Sequence, residues 1–225
     1  MRALLLALFL LPALAVAEEQ QLPEGGIEAS LLVPVHALVG GVVIAGPLAN
    51  AGFADLARVT FGVQQLGDLE PGLRRTRTVS FVQAGIGAVR TGLAFGLLGS
   101  TRRSPSERAY YQRTAAAVLV PAALDVGFAA ISITELVRLD QERRGSTLDR
   151  ESAAWAGSAG PLGLHGVLGV GMALIGSLEF VLGGIFADIS QYSSDEPFAL
   201  RTPRRRGLAL GWSVGPGGVA LSGTF

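Results

Sequence analysis

The sequence contains neither cysteine nor lysine among its 225 residues. The absence of cysteine excludes disulfide bonds, thiolate-ligated zinc or iron–sulfur sites, a thiol nucleophile and a lipoprotein anchor. Charged residues make up only 16% of the chain, against roughly 25% in ordinary soluble domains. The 18 arginines balance 18 acidic residues, so no net charge attracts the chain to nucleic acid. This low charge, together with long apolar runs, predicts a membrane protein.

Residues 1–17 have the organisation of a secretory signal peptide. Arg2 forms a positive start, residues 3–14 form a short apolar core, and the Ala-Val-Ala sequence at 15–17 matches the small-x-small cleavage rule. Cleavage would leave a mature chain that begins with a short extracytoplasmic segment, residues 18–30. The alternative is an uncleaved signal anchor, and both interpretations place this segment outside the cytoplasm.

Four apolar segments follow, and each is long enough to cross the roughly 30 Å hydrocarbon layer as a helix. No charged residue occurs from Ala29 to Ala54, so the first segment has no polar face of the kind that a water-exposed helix needs. Prolines and glycines inside these segments are tolerated in membrane spans. The sequence therefore predicts an all-α membrane protein, a four-transmembrane-helix bundle over residues 31–189, with spans at residues 31–48, 79–98, 115–137 and 162–189.

Charge does not orient this bundle, because each of the four connections that follow a span carries four arginines. The signal peptide, with Arg2 in the cytoplasm, instead predicts that the first and third connections lie inside and that the second connection and the tail lie outside. Apolar residues at three- and four-residue spacing from Phe53 to Leu66 predict a separate helix after the first span. This helix would lie along the membrane surface or pack on the end of the bundle.

The tail, residues 190–225, ends in a different pattern. Apolar residues alternate with small ones from Leu208 to Val214, a Gly-Pro-Gly-Gly turn follows at 215–218, and alternation resumes towards Phe225. We expect a short C-terminal β-hairpin over residues 207–225, docked on the bundle or on a partner because an isolated hairpin is marginally stable. The terminal Phe after an alternating strand also resembles the closing strand of bacterial outer-membrane barrels. The long apolar runs elsewhere argue against a barrel.

Three ionisable residues lie well inside the predicted spans, where a charge costs roughly 2.5 to 3.5 kcal/mol. Arg90 is at the middle of the second span, Asp125 at the middle of the third, and Glu179 slightly outward of the middle of the fourth. Antiparallel neighbouring spans place Arg90 and Asp125 at similar depth, and Glu179 is a rival partner for Arg90. We expect an intramembrane polar cluster that fixes helix pairing. The alternative is a charged site that lines a proton or ion path.

A second candidate pair lies at the inner end of the bundle. Glu135 is near the end of the third span and His165 near the start of the fourth. The two could form a pH-sensitive hydrogen bond, or each could reach interfacial water independently, which we favour. His36 lies near the outer end of the first span, so its depth separates it from His165 and argues against bis-histidine haem ligation. Since no metal motif, nucleotide loop or Ser-His-Asp arrangement is present, we expect neither a cofactor nor enzymatic activity.

Small residues recur along two of the spans. They appear every seven residues in the fourth span (Gly169, Gly176 and Gly183) and every four in the second (Ala84, Ala88, Gly92, Gly96 and Ser100). Such stripes let helix backbones approach closely in lipid. We therefore expect helix–helix contacts along both stripes, within the chain or with another molecule.

The functional expectation is a small integral membrane protein of the bacterial cell envelope with a structural or accessory role. Arginine as the only basic residue, with abundant Ala and Gly, indicates a GC-rich bacterial genome. The expected partners are the lipid bilayer, further copies of the chain or a larger envelope complex. The inner membrane is the expected location, because long apolar helices are retained there during export, and the outer membrane is the alternative. The alternative function is a small transporter or a proton- or ion-conducting protein, and an outer-membrane-associated role ranks third.

Overall fold

The part of the chain that the structure describes forms a bundle of four long helices. A computed structural model describes residues 31–67, 69–146, 148–149, 151–152, 160–197, 209–215 and 218–224. The helices are α1 (Leu32–Leu66), α2 (Leu69–Thr101), α3 (Glu107–Gly145) and α4 (Pro161–Tyr192). All four are long and apolar enough to cross a membrane, so the chain is a multi-pass membrane protein. The predicted signal peptide and the segment at 18–30 lie outside the described residues.

The first helix is longer than the sequence predicted. It continues past the expected end at residue 48 as far as Gly62, whose backbone angles (φ 69°, ψ 157°) are not helical, and a short helical segment follows to Leu66. The prediction of a separate helix that begins after the first span is therefore wrong. The helix continues because Ala54 and Ala57 are buried against Leu73 of α2, so tertiary packing stabilises the segment that carries the first charges.

Neighbouring helices are antiparallel and follow each other around the bundle in chain order. α1 packs on α2, α2 on α3 and α3 on α4, while a smaller interface between α4 and α1 closes the ring. The end with the α2–α3 connection is called here the Tyr110 end, and the opposite end is called the Arg75 end. Tyr110 and Leu98 belong to a buried apolar cluster near the Tyr110 end. Leu73 and Leu139 belong to another buried apolar cluster near the Arg75 end.

Glycines set the closest helix contacts. At Gly87 of α2, an added Cβ would lie 2.5 Å from the backbone oxygen of Val43 in α1. The stripe of Gly169, Gly176 and Gly183 on α4 faces α3, as the spacing predicted, with neighbouring atoms between 2.5 and 3.5 Å from each ideal Cβ position. This stripe therefore forms the α3–α4 interface.

The stripe on α2 has a different environment. Ala88, Gly92 and Gly96 are exposed, and no described atom outside the helix itself lies within 4 Å of a Cβ placed at either glycine. Along most of its length, this stripe faces away from the bundle. Within the described residues, Gly92 and Gly96 of this stripe therefore do not form the close helix–helix contact that was expected.

The segments after α4 contact the α2–α3 connection and then form two strands. Pro197 pairs with Ser106 in an isolated antiparallel bridge, and the backbone N–H of Arg108 donates to the carbonyl of Ser194 at 3.2 Å. Further on, β1 (Ala209–Gly215) and β2 (Gly218–Thr224) pair antiparallel. The docking site expected for a C-terminal hairpin stays a prediction.

Candidate functional site

The candidate site is a charged cluster in the middle of the bundle, centred on Arg90. The side chain of Arg90 is 1% exposed, and its guanidinium contacts one residue from each of the other three helices. Nε lies 3.1 Å from both carboxylate oxygens of Asp125, and Nη2 donates to Oδ2 of Asp125 at 2.9 Å. Nη2 also donates to Oε1 of Glu179 at 2.5 Å. Nη1 lies 3.1 Å from Nδ1 of His36. These four residues are called the Arg90 cluster.

The structure therefore brings together all three residues of the expected intramembrane cluster. The sequence left open whether Arg90 contacts Asp125 or Glu179, and the guanidinium contacts both. Sequence reasoning missed His36 as a fourth member, because its position near the start of the first span was considered only for haem ligation. A polar side chain in an otherwise charge-free span was the signal that could have identified it.

Local sequence explains why these side chains meet. Gln83, Gly87 and Arg90 lie on the buried face of α2 at helical spacing, and the missing side chain of Gly87 lets α1 come close. On α4, Gly176 plays the same part beside α3, since its ideal Cβ position is 3.4 Å from Cβ of Asp125. Glu179 follows one turn later on α4 and reaches the guanidinium.

The cluster has an excess of acidic groups. A guanidinium has only N–H donors, so Nδ1 of His36 accepts from Nη1 and the imidazole is neutral with its proton on Nε2. One cation then faces two carboxylates, and the cluster carries one net negative charge when Asp125 and Glu179 are both ionised. Uptake of one proton makes it neutral. Oε2 of Glu179 is buried and has no hydrogen-bond partner among the described residues.

The depth of the cluster follows from the distribution of charge along α3. Asp125 is the only charged residue between Arg113 and Glu135. At 1.5 Å per residue, it lies about 18 Å from the first and about 15 Å from the second along the helix axis. The cluster is therefore near the middle of the apolar layer, where unpaired charges are most costly.

A second charged group lies at the Arg75 end. Arg75 donates to Oε2 of Glu135 at 2.8 Å and to Oε1 of Glu142 at 2.7 Å, and its side chain is 31% exposed. Arg138 contacts the other oxygen of Glu135 at 3.5 Å. Glu135 itself is buried. The two arginines that contact Glu135 and Glu142 connect the bundle interior with its surface at this end.

Glu135 and His165, the candidate pair at the inner end of the bundle, do not hydrogen-bond to each other. Nε2 of His165 lies 3.0 Å from Nδ2 of Asn50, and both residues are fully buried. Glu135 contacts arginines instead, and neither residue has the independent access to interfacial water that we favoured. The difference arises because α1 extends to this depth and supplies Asn50. The His36 and His165 side chains also have different partners, Arg90 in the middle of the bundle and Asn50 towards the Arg75 end.

Several uncharged polar residues also point into the bundle. Gln83 donates to Oγ of Ser132 at 2.7 Å, while Thr76 and Ser80 lie fully buried on the same face of α2. None of them was identified from the sequence. They could have been found by extending the three- and four-residue spacing from Arg90 back towards the start of the helix. Within the described part of the chain, no group of three or more acidic or histidine side chains is placed to hold a metal ion.

Comparison with known proteins adds no relative. The chain matches no family model, no curated protein and no solved structure. The fold and the site define a four-helix, multi-pass membrane protein with a buried charged centre. A fold of this kind supports many activities, so function is inferred from the site.

Proposed function

We propose that the protein is a small multi-pass component of the bacterial inner membrane with a structural or accessory role. The observation that carries the proposal is that one guanidinium hydrogen-bonds to a residue from each of the other three helices. A buried charge that is paired in this way favours the helix arrangement that pairs it, because an unpaired charge in an apolar layer is costly. In this role the Arg90 cluster specifies how the four helices pair, and the bundle presents surfaces to lipid and to partners.

The bundle's surface supports a location in lipid. Large apolar side chains on α1 and α4 are strongly exposed, with 73% of Leu38 and 70% of both Val167 and Leu178 accessible. Only helices and closed barrels satisfy their backbone groups within a bilayer, and long apolar helices are retained in the inner membrane. The exposed α2 stripe and the predicted C-terminal hairpin are the surfaces proposed for self-association or for contact with a larger envelope complex.

Membrane fractionation tests this location. After separation of the two membranes on a density gradient, an internally tagged chain is expected in the inner-membrane fraction, with a mass reduced by signal-peptide removal. A known inner-membrane and a known outer-membrane protein serve as markers in the same gradient. Recovery with the outer membrane would contradict the proposal and favour the outer-membrane-associated alternative.

A second candidate function is proton or ion conduction through the Arg90 cluster. One specific observation favours it, namely the excess of one carboxylate over the guanidinium together with the unpartnered Oε2 of Glu179. A site that is neutral with one added proton and negative without it can bind and release a proton during transport. Under this proposal Glu179 binds and releases the proton, while Arg90 and Asp125 stay paired with each other in the same cluster.

Single neutralisation of the two carboxylates distinguishes the two functions. Asp125→Asn and Glu179→Gln each leave one carboxylate opposite Arg90, so a structural protein is expected to accumulate near wild-type levels. Its liposomes should then take up protons no faster than protein-free liposomes at an imposed potential. Ser177→Ala, an exposed position on the same helix as Glu179, is the matched control.

The second candidate predicts a different pattern in the same measurement. Wild-type liposomes and those with Ser177→Ala would take up protons faster than empty liposomes, and Glu179→Gln would abolish the difference while protein abundance holds. That pattern would overturn a purely structural role. A wild-type protein without measurable flux would overturn conduction.

A further inference from the structure

Buried polar side chains continue from the Arg90 cluster towards the Arg75 end. Thr76, Ser80 and Gln83 lie on the same face of α2 as Arg90, at spacings of four, three and seven residues, and all are buried. The rise along the helix from Thr76 to Arg90 is about 21 Å. Ser132 of α3 faces this row, since it accepts from Gln83. We call these residues, with the buried Asn50–His165 pair at the same end of the bundle, the polar track.

Polar atoms of the track lack partners within the described residues. The five atoms are Oγ1 of Thr76, Oγ of Ser80, Oε1 of Gln83, Oδ1 of Asn50 and Nδ1 of His165. Hydroxyl groups in helices usually donate to a carbonyl one turn earlier. The hydroxyls of Thr76 and Ser80 do not, so they are available to another ligand. Buried polar groups are normally satisfied by protein or by ordered water, and such a concentration of them identifies a place for water.

The other half of the bundle has the opposite character. Between the Arg90 cluster and the Tyr110 end, buried hydroxyls on the helices donate to carbonyls of their own helix, and the unpartnered buried atoms at this end, Oγ of Ser104 and Nε of Arg108, lie in or next to the α2–α3 connection. Thr101 donates to the carbonyl of Leu98 at 2.7 Å, and Thr114 to the carbonyl of Tyr110 at 2.9 Å. The remaining interior is apolar and includes Phe186, whose ring stacks on Tyr111 with centroids 6.5 Å apart. Among the described residues, this half contains no row of unpartnered polar side chains leading to the cluster.

One apolar layer separates the track from the cluster. Phe128 of α3 is buried with Leu168 and Met172 of α4, and its carbonyl accepts from Gln83 at 3.5 Å. Along α2, Gln83 and Arg90 are seven residues apart, a rise of about 10 Å. The track therefore reaches within two helical turns of the guanidinium.

We infer that the polar track is a water-filled inlet, open towards the Arg75 end, which brings water and protons as far as the Phe128 layer and gives the Arg90 cluster access from one membrane face only. This inference rests on the proton-exchange candidate for its use and goes beyond it by assigning the side of entry. Thr76, the track residue nearest this end on α2, directly follows Arg75, and water has to enter past the buried leucines Leu73 and Leu139 that lie at the same end. The apolar half closes the opposite side.

Cysteine accessibility tests the inlet directly, because the natural chain has no cysteine. Single variants are made in the full chain, Ser80→Cys and Ser132→Cys in the track and Thr114→Cys and Ala117→Cys in the apolar half. All four positions are fully buried in the structure, so exposure to bulk solvent does not separate them. A small charged methanethiosulfonate is applied to membranes that contain each variant, and the labelled fraction is followed over time.

Both track cysteines are expected to react at least about tenfold faster than the two in the apolar half, because the reagent needs water and a thiolate. Each variant should elute from size exclusion like the wild type. Ala88→Cys on the lipid-facing side of α2 is a further unreactive control. Equal rates at the four buried positions, or faster reaction in the apolar half, would overturn the inlet.

The outcomes separate the inlet from conduction. Selective labelling of the track in a protein without proton flux would keep the inlet and refute the proton-exchange candidate. Proton flux in a protein whose track cysteines stay unlabelled would overturn the inlet, since protons would then enter by another route.

Discussion

Replacing Arg90 with methionine is expected to remove most of the folded protein from the membrane. The change leaves Asp125 and Glu179 buried without the guanidinium, and the only basic side chain left in the cluster is the imidazole of His36, with Nδ1 3.5 Å from Oε1 of Glu179. Removing one partner of a buried ion pair costs about 3 to 5 kcal/mol. That loss is a large fraction of the stability of a typical protein. Immunoblots of membranes and thermal unfolding in mild detergent measure the effect.

The matched comparison restores charge balance without restoring the arginine. A triple variant, Arg90→Met with Asp125→Asn and Glu179→Gln, contains no charge at the centre and is expected to recover part of the lost abundance. Arg90→Lys should be intermediate, since lysine keeps the charge but lacks the forked donors that contact both carboxylates. Normal abundance of Arg90→Met, or no recovery in the triple variant, would show that the charged cluster does not hold the bundle together.

Replacing Gly87 with alanine is expected to separate α1 from α2. The new Cβ would lie 2.5 Å from the oxygen and 2.8 Å from the carbonyl carbon of Val43, and both atoms belong to backbone that cannot rotate away. Insertion of a methyl group into a packed interface costs about 1 to 3 kcal/mol. The displacement of α1 also moves His36 away from Arg90. The midpoint of thermal unfolding in detergent should fall accordingly.

Gly92→Ala provides the control for Gly87→Ala. It makes the same chemical change on the same helix, but no described atom beyond the helix lies within 4 Å of the new Cβ. Alanine is the better helix former by about 1 kcal/mol, so this variant should be neutral or slightly more stable. Equal unfolding midpoints for the two variants would contradict the close approach of α1 and α2.

Hydropathy predicted the four helices but not where the first one ends. The predicted span ended at residue 48, and Arg58 was assigned to the connection that follows it. In the structure, Nε of Arg58 donates to Glu70 of α2 at 3.1 Å, so this charge joins two helices. Pairing of this kind depends on a residue from another helix, and no local pattern reveals it.

For the charged sites too, the sequence predicted which residues matter but not which partners they contact. Because charge inside a span is rare and costly, Arg90, Asp125 and Glu179 could be selected from the sequence alone. The choice of partners could not, since His36 joins the cluster and Glu135 contacts Arg75 rather than His165.

The sequence by itself determined that this is a membrane protein with four apolar helices, because a bilayer requires continuous apolar segments whose backbone hydrogen bonds are internal. Only the tertiary structure decided which polar side chains meet. Those contacts depend on the rotation and depth of each helix relative to its neighbours. Close approaches such as that of Gly87 to Val43 fix the rotation and the depth of a helix. The periodicity of a single helix does not reveal either of them.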